Sequence, residues 1–317
     1  MNSAAVVFKQ PQQVHLQTLS LPPCGANEVE VAVAYSGIAS KTEQQLWQGL
    51  SPTVLRSGRP VVPGNASIGH ITQAPAHSAW RVGQAVWVSG AQCFEGVTPL
   101  YGASASRLVV PADQVWDLGR EARAEDVLLG LAATAYHAVA GTGRGGPFAA
   151  PELIIGHNTL GRLLARLVVA AGLPPPKVWE TQAQRLHGAQ GYIVTHPDDD
   201  EQSDYATIYD VRGEASDLDP WLCRLRPGGE LVLASDYPQG LRFAHPLTWV
   251  QETRIRMSSG WTPADLRAIQ QLIGDGRLSL EGLLTHLSDA QHTQEAYATA
   301  CDDSECLAMA LNWKDFA

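Results

Sequence analysis

The sequence predicts an α/β protein of two domains, a small barrel-like β domain and a doubly wound parallel sheet. Three observations predict it. Up to about residue 122 the chain is a series of short β-like runs broken by Gly and Pro. From residue 152 onward, strand-like and helix-like runs alternate on a period of roughly 25 residues, as a parallel sheet with crossover helices requires. Where the alternation begins, Leu153–Gly161 (LIIGHNTLG) leads a short apolar run through a glycine-bounded turn into the helical pattern RLLARLVVAAG.

In the first region the strand runs are AAVVF, EVEVAVAYSG with alternating apolar residues, SIGHIT, AVWV and SRLVV, with a loop-rich stretch at Pro52–Pro63. Many short strands without helical periodicity imply a small barrel. Apolar residues recur at helical spacing over Ala124–Ala140, and GTGRGGPFAAP then breaks the pattern. Strands are expected at 152–156, 176–180, 191–194, 206–211, 229–234 and 254–259, and helices at 160–171, 181–187, 215–225 and 262–274. The tail reads strand, helix, strand (LLTHL, AQHTQEAYATAC, CLAMALNW) and is expected to return to the first domain. Residues 1–122 with 261–317 then form one domain, and 123–260 are inserted into it.

The turn has the form of a dinucleotide-binding βαβ unit. A tight turn needs a residue without a Cβ at Gly156, Gly161 lets helix and strand approach, and the helix start at Asn158, Thr159 and Leu160 offers N–H groups and a positive dipole end to a diphosphate. Nineteen residues after Gly161, Glu180 closes the apolar run KVW and is placed to accept ribose hydroxyls. A carboxylate there repels a 2′-phosphate, which points to NAD rather than NADP. Asn158 replaces the second glycine of G-x-G-x-x-G, and Asn is the non-glycine residue that best tolerates a left-handed backbone.

A chain of 317 residues has room for two domains and a substantial core. Its net charge of −10 and pI near 5.4 leave no basic face for nucleic acid. The N-terminus has no basic segment ahead of an apolar one, so no signal peptide is expected, and Val127–Ala140, the longest mostly apolar run, is too short for a membrane span. Five cysteines without paired spacing fit reduced thiols in the cytoplasm.

The segments EVEVAVAYSGI, VVPGNASIGHI, RVGQAVWV, LAATAYHAV, the turn, LRPGGELVLA and ALNW resemble the medium-chain dehydrogenase/reductase superfamily. The resemblance implies a GroES-like catalytic domain around a Rossmann domain, with substrate in the cleft between them. Within the superfamily, the segments at 36–49, 130–138, 153–167, 205–213, 278–286 and 306–314 are similar to the dehydrogenases of bacteriochlorophyll synthesis. This implies NAD-dependent oxidation of a 3-(1-hydroxyethyl) group on a bacteriochlorophyllide-type substrate to 3-acetyl, and a homodimer formed through the Rossmann sheet edge. The chain departs from that family's pattern at 39–41, 65–66, 158, 234–237 and 260–262. A zinc-free quinone or enone reductase, and a catalytically silent nucleotide- or pigment-binding paralog, are the competing expectations.

Zinc-dependent members take metal ligands from positions that correspond here to Ala39, Asn65 with Ala66, and Leu131–Ala133, none of which supplies a strong donor. A metal-free site is therefore expected, and a base must take the hydroxyl proton. The loop Ser40-Lys41-Thr42-Glu43, placed by the resemblance at the cleft floor, offers Thr42 as a relay, Lys41 to stabilise an alkoxide and Glu43 as the ultimate base. Equally, Ser40 or Thr42 caps the following helix and Glu43 complements its dipole. Thr134 matches a superfamily position beside the nicotinamide, and Ser235 joins the cofactor set. Tyr136, Asn65, Trp47 and Trp261 are the candidate substrate contacts, with helix packing or core burial as the alternative for the aromatic residues. His137 and His70 are read as packed or surface histidines.

Overall fold

The computed structural model describes residues 1–38, 41–50, 58–140, 150–213, 217–237 and 240–316; the side chains of 245–247 are also outside the description. Ala39 and Ser40, on which two expectations rest, lie outside the described residues.

In chain order the elements are β1 (Asn2–Gln10), β2 (Gln13–Ser20), β3 (Glu28–Ile38), α1 (Lys41–Trp47), β4 (Val61–Val62), β5 (Ser67–Gln73), β6 (Ala85–Val88), β7 (Thr98–Pro99), β8 (Arg107–Pro111), β9 (Val115–Asp117), α2 (Leu129–Ala140), β10 (Leu153–Ile155), α3 (Thr159–Ala170), β11 (Lys177–Trp179), β12 (Ile193–Thr195) and β13 (Tyr205–Asp210). There follow α4 (Asp219–Leu222), β14 (Leu225–Leu233), α5 (His245–Gln251), β15 (Arg254–Met257), α6 (Pro263–Gly274), β16 (His286–Asp289), α7 (Thr293–Asp302) and β17 (Met309–Asn312). Packing divides the chain into Met1–Gly130 with Leu280–Ala317, and Leu131–Ser279. The boundaries expected at 122/123 and 260/261 differ from these, and α6, expected in the first domain, belongs to the second unit.

The first unit holds a sheet in the order β16-β17-β3-β5-β6-β9, with β8 also on β3, and a four-stranded sheet β2-β1-β4-β7. β3 lies at the centre because EVEVAVAYSGI buries nearly every residue, alternate ones on opposite faces. The tail strand β17 runs antiparallel to β3 with Met309 opposite Ile38, so the last strand completes a sheet begun near residue 28. The core gathers Phe8, Val31, Leu46, Val86, Leu108, Tyr297 and Trp313, all fully buried. Each side chain of this kind contributes roughly 1.5–3 kcal/mol on burial.

The second unit is a six-stranded parallel sheet in the order β12-β11-β10-β13-β14-β15. In chain order this is 3-2-1-4-5-6, the doubly wound arrangement, whose direction of winding reverses between β10 and β13. β10 reads as an unbroken apolar run because both its faces are covered.

Two expected helices shrink. Over 181–187 only a 3-10 turn at Ala183–Arg185 forms, and ahead of it the Glu180 carboxylate accepts from the N–H groups of Thr181 and Gln182. Of the helix expected over 215–225, residues 215 and 216 lie outside the described residues, and over 217–225 only Asp219–Leu222 is helical, with Pro220 in its first turn. β2, β4, β7 and β9 were not anticipated, being short or largely polar.

Candidate active site

Strand register sets the geometry of the turn. Ile155 pairs with Trp179 on one side and Asp210 on the other, so the next residues, Gly156, Glu180 and Val211, leave the sheet side by side at its carboxyl edge. Gly156 has φ +109°, a conformation that favours glycine. A Cβ on Gly161 would collide with the Gly156 carbonyl oxygen, so the third glycine is required by close approach of helix and strand.

Asn158 behaves differently from the expectation. Its backbone is extended (φ −75°, ψ −178°), so tolerance of a left-handed conformation is not what the position uses. It is the N-cap of α3: Oδ1 accepts from the Gly161 N–H at 3.0 Å, and Nδ2 donates to the Val211 carbonyl at 2.9 Å. Asn followed by T-L-G was legible as a capping signal and was read only as a glycine substitute. Thr159 is buried and Leu160 half-buried in the first turn of α3.

Glu180 is 7% exposed, and its carboxylate is heavily engaged. Oε1 accepts from Thr181 N–H (2.8 Å) and Gln182 N–H (2.9 Å), and Oε2 from His157 N–H (3.0 Å). A carboxylate oxygen has two lone pairs, so these contacts fill Oε1 and leave capacity at Oε2.

The turn residue His157 is fully buried. Nδ1 meets the Arg185 carbonyl at 2.5 Å and must donate to it, so Nε2 accepts from the Tyr192 hydroxyl at 2.8 Å. Burial, together with the charges of Arg162 and Arg166, lowers its pKa to about 4, so the ring is neutral near pH 7. Arg162 Nε donates to the His157 carbonyl at 3.0 Å, bracing the turn from the helix side.

Two residues that sequence reasoning missed stand at the end of β13. Asp210 is fully buried, and burial pushes its carboxyl above the usual range against the pull of Arg212. Arg212 Nε lies 3.7 Å from Asp210 Oδ1, and its guanidinium stacks on Trp221 at 4.8 Å. In sequence they are an unremarkable D-V-R-G. Ser235 is half-buried beyond β14, so close to Gly213 that a Cβ there would lie 2.5 Å from its Oγ.

On α2, Thr134, Tyr136 and His137 are half-buried. Tyr136 lines a cavity of about 380 Å³ with Val139, Leu167, Ala171 and Leu272. His137 Nδ1 is 2.9 Å from Asp265 Oδ2, which also accepts from Thr262 Oγ1 at 2.7 Å, so His137 joins α2 to the capping box of α6. Trp261 is half-buried just before that box.

In the first unit, α1 begins at Lys41, so Thr42 lies inside its first turn rather than at its cap. Lys41 and Thr42 are half-buried. Glu43 is fully buried: Oε1 accepts from Gly64 N–H at 3.1 Å and from the Tyr297 hydroxyl at 3.0 Å. Burial first, then Glu43, raises the Tyr297 pKa well above its ordinary value, so the phenol remains the donor. Gly64 (φ +105°) leaves no room for a Cβ beside Ala103 and Ser104, and Asn65 follows it half-buried. Trp47, expected as a stacking surface for substrate, is 3% exposed and packs on Phe8 and Tyr297 in the core.

Residues 25–120 match the alcohol dehydrogenase GroES-like domain. A short chain alcohol dehydrogenase from E. coli CFT073, solved with NADH, superposes with a TM-score of 0.82 at 18% identity, covering 98% of this chain and 99% of that one. A zinc-binding dehydrogenase fold from Sinorhizobium meliloti 1021, bound to NADP, gives 0.79 at 16%, with 98% and 99% coverage. The GroES-like segment, the six-stranded sheet and its glycine turn define the class: an oxidoreductase of the medium-chain dehydrogenase/reductase superfamily. The 2-desacetyl-2-hydroxyethyl bacteriochlorophyllide A dehydrogenase of Rhodobacter capsulatus is 43% identical over 316 residues, 99% of each chain, and that of Cereibacter sphaeroides 40% over 319 residues, again 99% of each. The chain belongs to the family of these bacteriochlorophyllide dehydrogenases.

Proposed function

We propose that the protein oxidises the 3-(1-hydroxyethyl) group of a bacteriochlorophyllide to 3-acetyl, with NAD as acceptor and without a catalytic zinc. The observation that carries this reading is the 43% identity to a named bacteriochlorophyllide dehydrogenase across 99% of both chains. A bound nicotinamide would supply the acceptor for the hydride of the carbinol carbon, which leaves the protein to take the hydroxyl proton.

The residues of the turn fit a dinucleotide. Gly156 and Gly161 give the backbone approach, and Glu180 Oε2 has the capacity to accept one ribose hydroxyl while repelling a phosphate at that place. Thr134, Thr159, Leu160 and Ser235 complete the proposed cofactor set. On the substrate side, Lys41 and Thr42 handle the hydroxyl proton, and Asn65, Tyr136 and Trp261 contact the macrocycle. Glu43 holds the turn before Asn65 to α1 rather than taking the proton itself, since Gly64 and Tyr297 close it in.

The donors present do not suit zinc: Asn65 and Ala66 offer no thiolate or imidazole, and among the described residues no three His, Cys, Asp or Glu side chains converge. A homodimer through β15 is part of the reading, because this edge strand ends the sheet with Met257 exposed and Val250 exposed just before it. No helix among the described residues is long and apolar enough to cross a membrane, and a cytoplasmic setting suits the free cysteines.

The test is turnover of 3-(1-hydroxyethyl) bacteriochlorophyllide with NAD or NADP after exhaustive chelation, by wild type and Glu180→Ala. The expected result is acetyl product with NAD in the chelated enzyme, and an NAD-over-NADP preference that falls about tenfold or more in the variant. No acetyl product with either cofactor would overturn the reading, and an unchanged preference would remove Glu180 from it.

A further inference from the structure

The turn is short of one ordinary anion contact, and a cation stands beside it. In α3 the Gly161 N–H, one of the first-turn donors that a diphosphate would use, is already satisfied by Asn158 Oδ1. Across the crevice where the sheet reverses its winding, Arg212 leaves the end of β13 and lays its stem over the turn: a Cβ on Gly156 would sit 2.7 Å from Arg212 Cγ. Its guanidinium carbon lies over the Trp221 ring, 4.8 Å from the centroid. Arg212 Nε is buried without a hydrogen-bond partner among the described residues, and the nearest Asp210 oxygen, 3.7 Å away, is beyond hydrogen-bond reach. Asp210 Oδ2 is likewise unpartnered. The side chain is 27% exposed, so with Nε enclosed it is the terminal nitrogens of the guanidinium, oriented by the contact with Trp221, that can meet the oxygens of a phosphate.

We infer that Arg212 is a ligand for the diphosphate of the dinucleotide, supplying from β13 the contact that Asn158 withdraws from the helix terminus. The inference rests on the cofactor reading above and extends it to a residue outside the glycine motif. Asn158 and Arg212 then act as a pair: the amide seals the start of α3, and the guanidinium replaces the donor it seals.

Equilibrium binding tests this without turnover. The full chain is titrated with NADH, with ADP-ribose and with adenosine, as wild type, Arg212→Lys, Arg212→Gln and Arg212→Met, the last keeping the apolar stem should the Gln variant fail to fold. Loss of one charge-assisted contact weakens NADH and ADP-ribose about tenfold or more in the Gln and Met variants, and less in Lys. Adenosine, which has no phosphate, changes less than about twofold. In an Asn158→Gly background the same substitutions cost less, because the helix terminus regains its donor. Equal losses for ADP-ribose and adenosine would reduce Arg212 to a packing residue and overturn the inference, as would an undiminished loss in the glycine background. Wild type that binds NADH, with Arg212 variants that bind it equally, sinks this proposal alone; wild type that binds neither NADH nor ADP-ribose sinks the cofactor reading with it.

Discussion

The glycine turn of the second unit and the α1–Gly64 region of the first were both expected to carry the chemistry, and the structure treats them in opposite ways. At the turn, strand register alone brings Gly156, Glu180 and Val211 to one edge, where Glu180 Oε2 retains hydrogen-bonding capacity and, beside it, Arg212 Nε and Asp210 Oδ2 are enclosed without a hydrogen-bond partner among the described residues. Around α1 the most chemically suggestive residues are closed. Glu43 is fully buried between Gly64 and Tyr297, and Trp47 is part of the core. Side chains at the edge of the parallel sheet keep part of their hydrogen-bonding capacity unspent, whereas a short helix in a β domain turns its large and acidic side chains inward and consumes them in holding the fold.

Three measurements break or sharpen that contrast. The largest effect is expected from Gly161→Val. The new side chain meets the Gly156 carbonyl oxygen, and the βα unit loses more than about 3 kcal/mol, read as a fall in the unfolding midpoint or in soluble yield. A midpoint equal to wild type would show that the turn is not built on helix–strand contact.

Next comes Glu43→Ala, which strands the Gly64 N–H and the Tyr297 hydroxyl in the interior. A loss of about 3 kcal/mol in denaturant unfolding is expected, with Glu43→Gln recovering much of it because an amide oxygen still accepts both bonds. If Glu43→Gln keeps the fold and yet abolishes turnover, the carboxylate is itself the base, and the contrast between the regions fails.

The smallest effect is a pH dependence. His157 has a folded pKa lowered to about 4 from 6.5, so between these values the unfolded chain binds the proton and the native one does not. Its contribution, at most about 3 kcal/mol, is complete above pH 6.5 and is lost as pH falls toward 4. His157→Gln should flatten the melting temperature across that window; an unaltered slope would mean that the ring is not held neutral in the turn.

How much of this was legible follows from sequence distance. The turn, its outer glycines and Glu180 at the end of the next strand lie within 25 residues and were read directly. So was the β–α alternation, though over 181–187, where the alternation predicts a helix, only the turn Ala183–Arg185 forms. Asn158 was seen as a missing glycine, although as a helix cap it does a job the local sequence already advertised.

The amino-acid sequence by itself determined the two-part architecture, the place of the glycine turn and the acidic residue beyond it, since these depend on hydrophobic period and on backbone conformations that few residues adopt. Only the tertiary structure decided which polar side chains remain available. Glu43 meets a tyrosine 254 positions away, and Arg212 reaches a turn on a different strand. Such partners are fixed by sheet order and register, which bring distant segments within hydrogen-bond range and leave no trace in the spacing of residues along the chain.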